Sequence, residues 1–486
     1  MARKGFKRNF PPLEILRKED VEQIKMASLD ILKETGMTIE HKTALELLQK
    51  NGCLVDFDTM RVRFPEGLVK ECLSRCPSSY RVKTRDEKDD LIFGGNTVYF
   101  HAAPGMGIVD LDSWSYREPT EREFIESVTV LDALEYNDYY SVYTPYFGYS
   151  GVPEVMKMTM GLVQLIKHST KLPGAGFANY NWDFNFRIAK AAGTEVMCPA
   201  LMVSSPLALS EFAVEAAYKT LEYGFPCGVD TGSVFGSTSP ATLAGSLAEF
   251  NAELLGCIVL IQLIKPYSRV FVYGFPHSQN MRNGAPNFGN ISNVMFNAAN
   301  NQIWRDYGVP VRNTASCYTS SKKIDFQNGM ERSMAATISA LSGASAINLH
   351  GGIYGELTHH PVQAILDNDM AGMIGRFIQG IDVNDETLAL DLIHMVGPVP
   401  GHFLDKEHTF NWWQHEQHIE ECADTMTYPE WEREGKMDCI DYAKEKMKKI
   451  LSNHEVSKKL SVEQEEEINE IIREEEEFYK KRGELN

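Results

Sequence analysis

The sequence predicts an α/β protein: a (β/α)8 TIM barrel with an N-terminal α+β cap and a C-terminal helical extension. From Tyr139 onward, short apolar or small-residue runs alternate with helix-length segments, several of which end at glycine. This alternation is typical of a parallel sheet. Seven strand candidates are visible, and seven or eight such units suit a closed barrel better than an open, doubly wound sheet.

The predicted barrel occupies residues 139–400. Its strand candidates are "YSVYTPYF" (140–147), "LPGAGF" (172–177), "PALMVSS" (199–205), "PCGVDTG" (226–232), "RVFVYGF" (269–275), "PVRNTAS" (310–316) and "AINLHGG" (346–352). The missing eighth strand is expected near Gly397, in "MVGPVP".

The flanking regions have different patterns. Residues 1–138 are expected to form the cap, because two helical patterns precede hairpin-like pieces such as "YRVKTRD" and "DLIFGGNTVYFH". Residues 401–486 are expected to form the helical extension. Its acidic tail, residues 463–486, holds ten acidic and four basic side chains. Such a charge run is typical of a solvated helix, so the tail is predicted to be a surface appendage.

Net charge and hydropathy exclude several classes of partner. The formal net charge of −19 argues against binding nucleic acid or an anionic membrane. The longest apolar run, "LLGCIVLIQLIKP", is interrupted by Gln262 and is shorter than the ~20 residues that a membrane helix needs. The basic N-terminus leads into no apolar signal region, so we expect a cytoplasmic protein.

A histidine ends the last predicted strand. In a (β/α)8 barrel the working site is built from the carboxyl ends of the strands and the loops that follow. His350 occupies that position, and the period of two places it on the same strand face as Asn348. Two glycines follow, which would let a ligand approach the backbone closely. A functional His350 is therefore predicted, with a histidine buried in the barrel core as the alternative.

The other strand ends are rich in aromatic residues and poor in acids. Rings attract a quaternary ammonium ion by about 0.5 to 2 kcal/mol each when desolvated, so this composition suits an apolar cation. Packing is the alternative explanation for any single ring. The predicted substrate-binding residues are Tyr99, Phe100, Tyr146, Phe147, Phe177, Tyr180, Trp182, Asp230, Tyr273, Phe275, Asn313 and Asn348.

A metal site receives little support. His415 and His418 in "HEQH" have a spacing that could bind zinc, but no glutamate-flanked zinc motif is present. We therefore predict that this subunit binds no metal. Two other classes stay open: a barrel metal-dependent hydrolase that uses the histidines and Asp230, and a non-catalytic protein that binds a quaternary ammonium compound with the aromatic rings.

Segments from the N-terminal, middle and C-terminal regions of the chain resemble one family. They include "ILKETGMTIEHKTALELLQKNGCLVD", "RVRFPEGLV", "SSKKIDFQNGMERSMAATISALSGASAINLHGG", "KEHTFNWWQHEQH" and "YPEWEREGKMD". Together they resemble the trimethylamine methyltransferase family, specifically its members without pyrrolysine. The resemblance implies a (β/α)8 barrel that transfers a methyl group from an amine to the Co(I) form of a corrinoid (cobalamin) carried by a partner protein.

The same resemblance implies the substrate class. The name-giving members use pyrrolysine, whereas this chain contains the twenty standard residues. Characterised members without pyrrolysine demethylate quaternary amines such as glycine betaine, proline betaine or carnitine. A quaternary nitrogen leaves as a neutral tertiary amine, so no general acid is needed. We expect His350 to orient the substrate or bind its carboxylate, with its charge mattering more than its acidity, and we expect a homo-oligomer.

Overall fold

The computed structural model describes residues 4–176, 181–313 and 318–485, and it has a mixed α/β fold. The α-helices are α1 (Lys18–Asp30), α2 (Lys42–Lys50), α3 (Glu66–Ser74), α4 (Glu121–Ala133), α5 (Lys157–His168), α6 (Trp182–Ala192), α7 (Glu211–Tyr223), α8 (Leu243–Ile264), α9 (Ile291–Asp306), α10 (Phe326–Ser342), α11 (Pro361–Gln379), α12 (Asp385–Leu388), α13 (Leu390–Val396), α14 (Glu407–Gln417), α15 (Tyr428–Arg433), α16 (Cys439–Asn453) and α17 (Val462–Lys481).

The strands are short. They are β1 (Phe6–Lys7), β2 (Met37–Ile39), β3 (Leu54–Asp56), β4 (Arg61–Arg63), β5 (Ser79–Val82), β6 (Leu91–Gly94), β7 (Thr97–Ala102), β8 (Gly107–Val109), β9 (Tyr116–Arg117), β10 (Tyr139–Tyr140), β11 (Cys198–Val203), β12 (Ala208–Leu209), β13 (Cys227–Thr231), β14 (Val234–Phe235), β15 (Val270–Gly274), β16 (His277–Gln279), β17 (Pro286–Asn287), β18 (Arg312–Asn313), β19 (Ala346–His350) and β20 (Thr358–His359).

Parallel pairing runs through the centre of the molecule. One sheet contains β18, β19, β7 and β10 in parallel, and another contains β11, β13 and β15 in parallel. Isolated parallel bridges lie between these sheets, at Tyr139–Leu172, Gly174–Met197 and Val272–Val311. A helix follows each of the paired segments along the chain. The predicted strand–helix alternation is thus present, and the predicted strands that begin near residues 199, 226, 269 and 346 are found within one or two residues.

The eighth parallel segment is not where the sequence analysis placed it. Gly397 follows α13 and has a φ of +65°, so the predicted strand near Gly397 is wrong. The missing partner is β7, which pairs in parallel with both β10 and β19. The sequence pattern of β6 and β7, two short apolar runs joined by glycines, resembles a local hairpin. In fact β6 pairs with β5, while β7 is almost continuously buried, as expected for a central parallel strand.

Helix α8 is the most apolar element. It is long and apolar enough to cross a membrane by length and composition, but 89% of its most apolar window is buried inside the protein. Its residues pack with α1, α3 and the strands β13 and β15 in the largest hydrophobic cluster. It is accordingly the core helix of this half of the molecule.

The acidic tail is packed rather than appended. Ile468 and Ile471 on α17 are buried in one cluster with apolar residues of α5 and α6. The buried carboxyl group of Glu475 accepts a hydrogen bond from Thr159 Oγ1 at 2.8 Å, and burial raises its pKa to about 8. The prediction of a surface appendage is therefore wrong for this face. The tail packs because one side of α17 carries apolar residues between the glutamates. The high overall charge of the segment made this apolar side hard to recognise in the sequence.

Removing residues 462–486 is expected to destabilise the protein. The truncation exposes the α5–α6 face, and losing each fully buried aliphatic side chain costs about 1.5 to 3 kcal/mol. We expect a clear drop in the urea midpoint. The matched control, Val462→Ala, changes an exposed residue of the same helix and should leave the midpoint unchanged. An unaltered midpoint after truncation would contradict the packing role.

Candidate functional site

The strands around the centre have one face toward the helices and one face toward each other. Phe100, Ile347 and Leu349 pack with residues of α10 and α11. Alternation then turns Tyr99, His101, Asn348 and His350 the other way, and we call this side the inner face. Inner-face residues from both sheets form one cluster, which contains Tyr99, Tyr139, Leu172, Met197, Phe271, Tyr273 and Ala346.

The hairpin β5–β6 covers one end of this inner face. Phe93 packs edge-on against Phe271, with ring centroids 5.7 Å apart. The Tyr99 hydroxyl is bonded to the backbone of Ile92 on the same hairpin. These contacts lie toward the amino ends of the strands, so approach from solvent is left to the carboxyl ends.

Arg312 supplies a buried positive charge on the inner face. Its Nε donates to His101 Nε2 at 3.1 Å, and its Nη2 donates to Ser141 Oγ at 2.5 Å. The guanidinium lies 4.9 Å from the ring centroid of Tyr273. Residues of β7 and β15 and the residue after β10 therefore fix the guanidinium, and Nη1 is the nitrogen that makes neither hydrogen bond.

His101 is held in one tautomer by its neighbours. Its Nδ1 lies 3.1 Å from the carbonyl oxygen of Ala102, so Nδ1–H is the donor and Nε2 accepts from Arg312. Burial, reinforced by the charge of Arg312, holds the pKa of His101 well below its usual value. Its ring also stacks near Tyr139 at a centroid distance of 4.4 Å. His101 is a neutral support for Arg312.

Asp230 is the inner-face carboxyl group. Burial raises its pKa to about 7, although Arg312 and a hydrogen bond from the Tyr273 hydroxyl act in the opposite direction. Asp230 pairs with Tyr273 across β13 and β15. Its Oδ1 is buried and has no hydrogen-bond partner among the described residues. The group is therefore poised to ionise when a cation arrives.

A second carboxylate stands beside Tyr143. The Tyr143 hydroxyl donates to Glu356 Oε2 at 2.9 Å, and the ring packs edge-on against Phe147 at 6.1 Å. Tyr143 has a φ of +38°, which a residue with a bulky side chain rarely adopts and which must be held in place by its surroundings. Burial is the main cause of the raised pKa of Asp230, and the charge of Glu356 raises that pKa further. The two carboxyl groups are therefore close enough to interact electrostatically.

Asn348 and His350 present unsatisfied polar atoms. Both are fully buried, and the amide of Asn348 has no hydrogen-bond partner in the described part of the chain. The ring nitrogens of His350 make no hydrogen bond of good geometry there, although the His101 backbone and the Asn368 side chain are near enough to act on its pKa. Leaving a buried polar group unpaired costs about 1 to 3 kcal/mol, so such groups concentrate where a ligand or water binds. Burial lowers the pKa of His350 to about 3, so it is neutral at pH 7. That its charge matters more than its acidity stays a prediction, which this low pKa does not favour.

A buried ion pair supports the end of β19. Arg332 and Asp367, both fully buried, form a bidentate salt bridge with distances of 2.6 and 2.8 Å. Arg332 also donates to the carbonyl of Leu349, while Asp367 accepts from the amide of Gly351 at 2.7 Å. These bonds hold the backbone on both sides of His350.

Several predicted site residues lie elsewhere. Phe100 faces the helices, and the amide of Asn313 is bonded to Asn301 and Asn297 on α9. Trp182 packs against Phe212, and Tyr146 belongs to a cluster with Phe124 and Tyr149. Phe275 joins a cluster with Phe288 and Tyr318. Phe177 and Tyr180 lie outside the described residues. The structure thus groups Tyr99, Asp230, Tyr273, Asn348 and His350, but it does not bring the full predicted ring cage together.

The sequence analysis missed Arg312, His101, Tyr143 and Glu356. One signal was available: "YFHAA" at His101 repeats the strand–histidine–small–small pattern of "NLHGG" at His350. Arg312 was itself a charged residue inside a predicted strand.

Potential metal ligands are scattered. Among residues 4–176, 181–313 and 318–485, no group of three or more histidine, cysteine or acidic side chains is arranged to hold a metal ion. His402 lies near Asp405 at 3.6 Å, with both side chains exposed. The absence of metal from this subunit remains a prediction, which chelation with activity as the readout would test.

Comparison with protein families assigns the chain. The family model described as "Trimethylamine methyltransferase (MTTB)" matches residues 1–141 and 186–478. The chain belongs to the trimethylamine methyltransferase family. The resemblance inferred from sequence motifs is therefore confirmed, and the protein is an enzyme of this methyltransferase family.

Two relatives from Desulfitobacterium hafniense illustrate the range within the family. The chain is 29% identical over 450 residues to its trimethylamine methyltransferase MttB, covering 90% of this chain and 89% of the relative. It is also 29% identical over 458 residues to a glycine betaine methyltransferase, covering 91% and 93%. These two relatives, which carry different names, thus have the same percentage identity to the protein.

A solved structure shares the fold. The monomethylamine methyltransferase of Methanosarcina barkeri superposes with a TM-score of 0.51 at 13% identity, covering 89% of this chain and 88% of the other. At that identity the match concerns the mixed α/β fold alone.

Proposed function

We propose that this protein transfers a methyl group from a betaine-type quaternary amine, such as glycine betaine, proline betaine or carnitine, to the Co(I) corrinoid of a partner protein. The observation that carries the proposal is the inner face itself. It combines a fixed cation, Arg312, with a titratable carboxyl group, Asp230, and aromatic rings. A betaine carries a carboxylate and a quaternary ammonium group, which complement these two charges.

We also propose that the parallel segments form a (β/α)8 barrel that starts at β7, with residues before it as the cap and residues 401–486 as the extension. The support is the order of pairing, in which each segment bonds to the next and β19 returns to β7. The inner face is then the barrel interior, and its open end is the carboxyl edge of the strands.

Arg312 is the proposed carboxylate site. Its Nε and Nη2 are held by His101 and Ser141, which leaves Nη1 for a ligand. A neutral His101 adds no competing positive charge nearby. Because the guanidinium is fixed before the substrate arrives, little side-chain entropy is lost on binding.

Asp230 is the proposed counter-charge for the ammonium group. A quaternary nitrogen has no N–H to donate, so it binds through its charge and through ring faces. The rings of Tyr139 and Tyr273 belong to the same inner-face cluster. Asn348 and His350 supply neutral hydrogen-bonding atoms that can fix the carboxylate end and so aim one methyl group outward.

The corrinoid would enter with its partner protein and supply the Co(I) nucleophile that takes the methyl group. The loops after β7 and β19 suit contact with a corrinoid, because they expose the apolar side chains of Met106 and Leu357 next to Glu356. During transfer the nitrogen keeps the electron pair of the broken N–CH3 bond and leaves as a neutral tertiary amine. The chain has to orient the substrate and exclude water, and it needs no general acid.

The alternatives receive less support. A metal-dependent hydrolase needs a ligand cluster, and the described residues offer none of three or more groups. A non-catalytic betaine-binding protein does not account for membership of a methyltransferase family. Methyl transfer is therefore the favoured function.

The deciding experiment uses free Co(I) cobalamin. The protein is incubated with it and with a panel of quaternary amines, dimethylglycine and trimethylamine, and methylation is followed in the cobalt absorption spectrum. We expect transfer from one or more betaines and none from dimethylglycine or trimethylamine. Demethylation of trimethylamine as fast as any betaine would overturn the proposed substrate class.

The pH dependence should follow Asp230. A betaine has no group that titrates near neutrality, and the pKa of Asp230 in the free protein is about 7. Below that pH the carboxyl group is protonated and attracts the cation weakly. We expect kcat/KM to rise with pH, approaching tenfold per unit below pH 7, and to level off above it. Calorimetric affinities should follow the same curve, and a flat profile would remove Asp230 from the site.

Tyr273→Phe should move that curve. The Tyr273 hydroxyl donates to Asp230 and favours its ionised form, so losing the hydroxyl should raise the pKa of Asp230 further. We expect the rising limb to shift to higher pH, while the ring still covers Arg312. Tyr139→Phe is the control, because the Tyr139 hydroxyl has no described partner. If kcat/KM of Tyr273→Phe rises over the same pH range as in the unaltered protein, the Tyr273 hydroxyl does not affect the ionisation of Asp230.

A further inference from the structure

Met202 is an exposed apolar side chain in an otherwise buried strand. Its neighbours on β11, Leu201 and Val203, are buried in the largest hydrophobic cluster, on the side of α7 and α8. Successive side chains of a strand point to opposite sides, so Met202 points to the inner face. It is 39% exposed there, close to the carboxyl end of β11. The inner face is therefore open to solvent beside Met202.

A β-bulge places Met202 on this side of the sheet. Met197, one residue before β11, belongs to the inner-face cluster. The two methionines are five positions apart, and in a regular strand an odd separation puts two side chains on opposite sides. The pairing of β11 with β13 shifts its register between Pro199 and Leu201, which inserts one extra residue. Bulges of this kind are common next to active sites, where they redirect a side chain.

Four inner-face side chains then lie in one row across the strands. Met202 pairs with Asp230, and Asp230 pairs with Tyr273, in parallel register. An isolated parallel bridge one residue earlier continues this level from Tyr273 to Arg312, whose guanidinium lies 4.9 Å from the Tyr273 ring centroid. Neighbouring strands are about 4.8 Å apart, so the row runs from a guanidinium, past a ring and a carboxyl group, to a thioether.

We propose that Met202 is a substrate-contact residue, which packs against the methyl groups of the quaternary ammonium ion and limits the size of the ammonium group that the protein accepts. This inference rests on the proposed function, in which Arg312 binds the carboxylate and Asp230 faces the ammonium group. A betaine held in that way directs its methyl groups away from Arg312, and Met202 is the next side chain in the row.

The thioether suits this contact. A quaternary nitrogen has no N–H, so its methyl groups need an apolar neighbour rather than a hydrogen-bond acceptor. Methionine is flexible and polarizable, and it therefore adapts its shape to such a group. Because Met202 lies near the carboxyl end of its strand, a methyl group beside it stays accessible to a cobalt ion that approaches from that end.

Calorimetry with two simple cations tests the size limit on the full-length protein. At a pH above the pKa of Asp230, the unaltered protein should bind tetramethylammonium more tightly than tetraethylammonium. Met202→Ala makes room beside Asp230, so the ratio of the two affinities should shift toward tetraethylammonium by at least about tenfold, the scale on which a hydrophobic pocket distinguishes one methylene group. Met202→Leu nearly keeps the volume and should keep the ratio. Met281→Ala is the matched control, because Met281 is 76% exposed between β16 and β17.

Met202→Lys tests the position of the ammonium group. A lysine at this position places a positive charge beside Asp230, where it repels the substrate cation, so the affinity for betaines should fall by at least about tenfold. Because Met202 is exposed, the urea midpoint should stay unchanged, which separates this effect from a loss of folding. Met281→Lys adds the same charge away from the row and should bind betaines like the unaltered protein.

The outcomes separate this proposal from the proposed function. The unaltered protein may transfer methyl groups from a betaine while Met202→Ala keeps the affinity ratio, or while Met202→Lys keeps the betaine affinity; either result overturns the role of Met202 alone. Slower transfer to the corrinoid protein without any change in ligand affinity would assign Met202 to the protein interface, and would also overturn it. An unaltered protein that binds no quaternary ammonium compound would overturn both proposals.

Discussion

Arg312→Met is expected to abolish useful binding of betaines while sparing cations that lack a carboxylate. Truncating one member of a buried, charge-assisted pair costs about 2 to 5 kcal/mol, which corresponds to a loss in affinity of roughly 30- to 5,000-fold. Because Arg312 lowers the pKa of Asp230, the comparison is made at a pH at which Asp230 is ionised in both proteins. There tetramethylammonium should bind equally well or more tightly, because a positive charge is removed from the inner face. Calorimetry with both ligands measures the contrast directly.

Two further variants sharpen the Arg312 result. Arg312→Lys keeps the charge but loses the planar fork that bonds to His101 and Ser141, so an intermediate loss is expected. Arg305→Met changes a partly buried arginine on α9 and should leave both affinities unaltered. Equal losses for glycine betaine and tetramethylammonium in Arg312→Met would show that Arg312 only maintains the fold. Unchanged betaine affinity would exclude it as the carboxylate site.

The sequence predicted those parts of the fold that local pattern determines. Long apolar runs gave β11, β13, β15 and β19 nearly residue for residue, because parallel strands are buried on both faces. Strand β7 was not predicted as a central parallel strand, because its partners β10 and β19 are distant in sequence. The glycines next to it suggested a local hairpin. Long-range pairing of this kind leaves no local signal.

The site was predicted only in part. In a very short strand, the sequence does not show which side of the sheet each side chain points to. β19 is five residues long, so its alternation correctly placed Asn348 with His350. β18 is two residues long, and both Arg312 and Asn313 are polar. Asn313 faces α9, where Asn301 and Asn297 satisfy its amide. The expectation that a polar strand residue points to the inner face therefore fails at this position. Similarly, alternating glutamates hid the buried face of α17.

The remaining large effect is expected at the ion pair behind His350. Asp367→Leu takes the bidentate carboxylate away from the fully buried Arg332, and breaking a buried ion pair in this way costs about 3 to 5 kcal/mol. We expect a marked fall in the urea midpoint. The double variant Arg332→Met/Asp367→Leu removes both charges and should recover most of that stability, since replacing a buried pair with apolar residues is often neutral.

Activity should not recover with stability in the double variant. Arg332 and Asp367 also bond to the carbonyl of Leu349 and the amide of Gly351, and apolar replacements cannot restore those bonds. The backbone around His350 would then lose its fixed position, so kcat/KM with betaines should stay at least about tenfold low, the scale on which small misplacements of an orienting group act. A double variant as unstable as Asp367→Leu would contradict the ion-pair argument, and full activity in a stable double variant would show that the pair does not position His350.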